Sequence, residues 1–92
     1  MTWQLLIDVV GWVGTGCILL AYIMLSSGRL QGGSYGYQGL NLLGGIFLVV
    51  NTVYYGAYPS TFLNFVWAII AIVALLQMRR SFLVAANQPP DS

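Results

Sequence analysis

"YGAYPSTFLNFVW", residues 55–67, decides how the chain divides. Gly56 and Pro59 punctuate it, and the residues beyond them on either side are apolar. Asn64 stands inside that apolar run. An amide does not leave water without a partner except at a cost of several kcal/mol, so its presence there asks for an explanation.

Working outward, the 92 residues are 59% hydrophobic and only 5% charged. Soluble domains carry roughly a quarter charged residues, and a chain this small buries the smallest share of its surface. The expected solvent is lipid, and the expected fold is an all-α membrane protein. Three apolar stretches, at about residues 5–25, 38–57 and 60–79, approach the roughly 20 residues needed to cross a bilayer. Tyr37 and Tyr58 would extend the short second one into the interface. Helices are expected because backbone in hydrocarbon must satisfy its own hydrogen bonds. Runs such as "AIIAIVALL" lack the alternation of a barrel strand. The organisation that follows is one three-helix transmembrane domain, 1–83, and a disordered cytoplasmic tail, 84–92. The start, "MTWQLLID", carries no lysine or arginine, which argues for a retained helix over a cleaved signal.

Charge sets the expected orientation. Arg29 lies in the first loop, and Arg79 and Arg80 follow the third stretch, whereas "GAYPS" and the N-terminal segment have no basic residue. With three spans, the first loop and the C-terminus share a side. The positive-inside rule makes that side the cytoplasm, with the N-terminus outside the cell membrane.

The inventory excludes most catalysis. There is no histidine, glutamate or lysine, and the only carboxylate side chains are Asp8 and Asp91. A Ser-His-Asp triad, a carboxylate pair and a Cys/His metal site are all impossible. No cofactor, metal or nucleic acid is expected as a partner, and no enzyme activity. Cys17 is a small packing residue of the first helix.

Advancing about 100° per residue places polar and small residues on one side of each helix. The first helix shows Asp8, Gly11, Trp12, Thr15, Leu19 and Tyr22. The second shows Asn41, Gly44, Gly45, Leu48, Asn51, Thr52 and Tyr55, and the third Ser60, Thr61, Asn64, Trp67, Ala68 and Ala71. Gly11, Gly44 and Gly45 are read as close-approach positions between helices. Asn51 and Asn64 are open to two readings, as interhelical glue or as the donors and acceptors of a solute site. Trp67, one turn from Asn64, is a core aromatic or a stacking surface. Asp8 complements the positive end of the first helix or serves as a coupling carboxylate.

"NTVYYGAYPSTFLN", residues 51–64, resembles the junction of the second and third helices in the SemiSWEET and PQ-loop family of small bacterial half-transporters. The aromatic-glycine "YYG" at 54–56 and the Pro59–Asn64 spacing carry that resemblance, and "GWVGTGCILLAYIML" is similar to the family's first helix. The chain is also similar to uncharacterised small three-helix bacterial proteins, some labelled permeases. The resemblance implies a three-helix bundle that dimerises in parallel, and facilitative transport of a small neutral solute such as a sugar. Asn64 would line the shared cavity, with Asn51, Thr52 and Trp67 beside it. Two departures are plain. The family's Pro-Gln hinge would fall at about Met24-Leu25 and is missing, and its binding tryptophan falls at about Thr52. The alternative is a non-transporting membrane subunit whose polar stripes are only contact surfaces.

Overall fold

A computed structural model describes residues 2–88 and contains three helices: α1 (Trp3–Ser26), α2 (Tyr35–Tyr54) and α3 (Tyr58–Ala86). Thr2 caps α1, its hydroxyl accepting from the Leu5 amide at 3.2 Å, and Ser34 caps α2 in the same way from Tyr37. Pro59 lies in the first turn of α3, where no N–H is needed. Gly28 and Gly56 end the first two helices at φ 78° and 70°, a left-handed conformation that glycine adopts without strain. The "YYG" signal is therefore the turn itself: α2 closes at Tyr54, and Gly56 reverses the chain into α3.

The boundaries differ from expectation in instructive ways. α2 runs three residues earlier than 38–57, because the Ser34 hydroxyl starts it and Gly56 ends it. α3 continues past 79 to Ala86, so residues 84–86 of the expected tail are helical. Nothing between Arg80 and Ala86 breaks a helix; the prolines at 89 and 90 come later. Asn87 caps the helix, and residues 89–92 of that tail lie outside the described residues.

The helices form a layer, with α2 in the middle. α1 contacts α2 and α2 contacts α3, but no Cα of α1 comes within 8 Å of one of α3. Both pairs run antiparallel: Gly14 meets Gly44 while Ile7 meets Asn51, and Gly45 meets Ala68 while Thr52 meets Thr61. The expected three helices are present, and α2 is the helix common to both seams.

Small residues set the spacing. The buried positions are Gly11, Gly14 and Ala21 on α1, Asn41, Gly44 and Gly45 on α2, and Ala68 and Ala71 on α3. On α1 this turns the inward face away from Trp12, Leu19 and Tyr22, which are 76%, 55% and 65% exposed. The physical reason is contact distance: backbones approach closely only where no bulky side chain intervenes. Gly44 and Gly45, adjacent in sequence, face different neighbours, Gly44 the α1 helix and Gly45 the α3 helix.

Two helices, α1 and α3, are long and apolar enough to cross a membrane, rather than three. α2 is 20 residues long but carries Gln38, Asn41, Asn51, Thr52 and several glycines. Flanked on two sides by other helices, it has less surface to present to a surrounding solvent.

Candidate functional site

The seam between α1 and α2 carries a line of polar contacts. Asn51 Nδ2 donates to the Ile7 carbonyl at 3.0 Å, reaching across the seam to the α1 backbone. Its amide lies directly over Gly11, in space that a Cβ at that position would occupy. One turn further on, the Tyr55 hydroxyl donates to Asp8 Oδ1. Thr15 donates to the Gly11 carbonyl at 2.9 Å. Together with Trp12 and Leu48, these residues line an open groove of about 350 Å³. The floor of the groove is polar, but most of its donors are already engaged within the chain.

The seam between α2 and α3 is built differently. The Thr61 hydroxyl lies 2.9 Å from Thr52 Oγ1, which itself donates to the Leu48 carbonyl at 2.6 Å. This relay ties the two helices beside the Gly56 turn. Asn64, one turn further along α3, is half-buried, and its side chain makes no hydrogen bond among the described residues. Further along, Trp67 and Asn41 share a smaller pocket of about 120 Å³ with Tyr37, Gln38, Ile70 and Ala71.

The four residues expected to form one site therefore belong to two seams. Asn51 lies on the α1 side of α2, Thr52 is bonded to α3, and Trp67 is placed with Asn41 rather than with Asn51. The central position of α2 causes this: residues adjacent in sequence, such as Asn51 and Thr52, point about 100° apart and so face opposite neighbours. Asn41 and Tyr55 emerge as site residues that sequence reasoning placed only on a stripe. Asn41 is the one polar residue that is buried among the described residues, at 5% exposure. Burial of that kind has no sequence signal of its own.

The arginines gather at one end. The loop 27–34, with Arg29, adjoins the C-terminal part of α3 that carries Arg79 and Arg80, as the shared cleft of Gly32, Gly33, Gln77 and Ser81 shows. Asp8 and Tyr55 mark the opposite end. No group of three or more His, Cys, Asp or Glu residues that could hold a metal ion occurs among the described residues.

No curated protein and no solved structure matches the chain. A family model does, over residues 7–81, and it brings no link to the SemiSWEET or PQ-loop proteins. That match spans all three helices, from the Ile7 carbonyl that receives Asn51 to the end of the arginine pair, and the chain belongs to this uncharacterised family.

Proposed function

We propose that the protein is a multi-pass inner-membrane protein that carries a small neutral solute, such as a sugar or other polar metabolite, by facilitated diffusion as a parallel homodimer. Lipid as solvent is supported by surface arithmetic. The accessible surface is 6588 Å², against about 5,200 Å² for a soluble monomer of its mass, and large apolar side chains occupy much of it. α2 lies antiparallel between two helices able to cross a membrane, so it crosses with them. The grouping of Arg29, Arg79 and Arg80 at one end supports an outside N-terminus and a cytoplasmic C-terminus.

Asn64 carries the transport reading. Asn51, Thr52 and Thr61 each bond within the chain, but Asn64 is half-buried and its side chain makes no hydrogen bond among the described residues. An amide in that position requires a partner from outside the chain. A layer of three helices encloses no path of its own, so a solute would pass between two copies, with both Asn64 side chains toward it. A neutral solute is favoured because an amide offers two donors and an acceptor but no charge.

The second reading is a non-transporting subunit, favoured by the satisfied contacts of Asn51 and Thr52. Flux of labelled sugars, polyols and amides into proteoliposomes separates the two. The transport reading expects measurable flux that Asn64→Ala abolishes while leaving the unfolding midpoint nearly unchanged. Absence of flux for every solute, with a destabilised Asn64→Ala, establishes the second.

A further inference from the structure

We infer that the pocket between α2 and α3 at Asn41 and Trp67 is a binding site for a small neutral molecule with one polar edge and one apolar face, a short amide or polyol. The inference does not rest on transport, because binding there is measured without flux.

Asn41 is 95% buried by its 5% exposure. Its side chain makes no hydrogen bond among the described residues, although it lines a pocket of about 120 Å³. No buried side-chain nitrogen or oxygen lacks a partner among the described residues, so the unbonded amide atoms of Asn41 keep open surface, and its two donors and its acceptor are available to a molecule in the pocket it lines. The volume gives room for about four water-sized groups.

The walls are divided in a way that distinguishes such a molecule from a water cluster. Asn41 and Gln38 supply polar atoms from α2, while Ile70 and Ala71 supply apolar surface from α3. Trp67 adds an aromatic wall on the α3 side. Confined waters need two to four polar partners each, and here the polar groups lie mainly on one wall. A molecule such as acetamide or glycerol can face Asn41 with its polar edge and turn its carbons to α3. No side chain in the pocket is charged, so an ion would find no counter-charge.

The pocket adjoins a second space. Gln38 also lines the open cleft of about 450 Å³ at the arginine end, together with Gly32 and Gln77. Its Nε2 donates to the Gly32 carbonyl at 3.0 Å on the exposed surface. Gln38 thus borders both the pocket and the cleft, and the proposed ligand would enter from the end that holds the arginines.

The test uses the emission of Trp67. Trp3 and Trp12 are 75% and 76% exposed, so Trp3→Phe and Trp12→Phe leave Trp67 as the sole reporter in detergent-solubilised full-length chain. Acetamide and glycerol are expected to change its emission saturably in the millimolar range. A hexitol, too large for the cavity, is expected to bind at least tenfold more weakly. Asn41→Leu, which keeps the branched shape but replaces the amide by two bulkier methyl groups, is expected to weaken acetamide at least tenfold at unchanged helix content. If Asn41→Leu does not fold, the size comparison in the parent decides alone. A linear response without saturation, a hexitol equal to glycerol, or a folded Asn41→Leu that binds as the parent does, each overturns the site and leaves a hydrated cavity.

Discussion

The two seams of this layer use the same central helix and opposite strategies. Between α1 and α2, glycine faces glycine. A Cβ at Gly44 would lie 2.8 Å from the Gly14 carbonyl oxygen, and one at Gly14 would lie 3.0 Å from that of Gly44. Between α2 and α3, Gly45 faces Ala68, and a Cβ there would meet the Ala68 Cβ at 3.3 Å. The first seam is closed by backbone contact, and its buried-side amide, Asn51, is bonded across it. The second is spaced by methyl groups and leaves the Asn41 and Asn64 side chains without a hydrogen bond among the described residues. The comparison teaches that a helix seam with slack can leave polar side chains unbonded, whereas a seam at backbone contact uses its polar groups as glue.

Substitutions at adjacent glycines provide the strongest attempt to break this contrast. Gly44→Ala must displace backbone, and overpacking of that kind costs about 1–3 kcal/mol. Gly45→Ala needs a shift of only a few tenths of an ångström and should cost under about 1 kcal/mol. Reversible unfolding of detergent-solubilised protein, followed by helical circular dichroism, measures both. Equal losses would show that the two seams are alike.

A smaller effect is expected at Asn51. Asn51→Ala removes the bond to the Ile7 carbonyl, and interhelical hydrogen bonds of this sort contribute about 0.6–1.7 kcal/mol. Asn64→Ala, with no bond to lose, should shift the same unfolding midpoint by much less. The order of the two variants in one titration is the measurement, and a reversed order would place the glue on the α3 side.

Thr61→Val sharpens the picture further. The change keeps the shape and removes the hydroxyl that reaches Thr52, which retains its own bond to the Leu48 carbonyl. A loss of about 0.6 kcal/mol is expected. Smallest of all is Gly16→Ala, where a new methyl meets nothing within 4 Å. Reduced freedom of the unfolded chain should leave this variant equal to the parent or about 0.5 kcal/mol more stable. A clear loss at Gly16 would reveal a contact with a second copy, and cross-linking at that position would then locate it.

Much of the architecture was legible in the residues. The "YYG" turn, Pro59 in the first turn of the last helix and the lack of charge all act locally or through composition. They determine helix, turn and an apolar exterior without reference to any distant residue. Gly11, Gly44 and Gly45 were legible as close-approach positions because the absence of a side chain is itself a local property. Which neighbour each would face was not. A helical stripe states what lies on one side of a helix, and the 100° step between Gly44 and Gly45, or between Asn51 and Thr52, is narrower than the stripe itself.

Tertiary structure alone decided that α2 lies between the other two, and that decision redistributed the polar residues. It joined Asn51 to Ile7 and Tyr55 to Asp8 on one side, and Thr52 to Thr61 on the other. It also buried Asn41 beside Trp67 and left Asn64 unpaired. Contacts across 44 or 47 residues of chain depend on the order in which helices stand side by side. That order is a property of the competing seams and of no single segment. Composition and local turn chemistry sufficed to determine the helices and their apolar surfaces, but the pairing of side chains had to await the choice of neighbours.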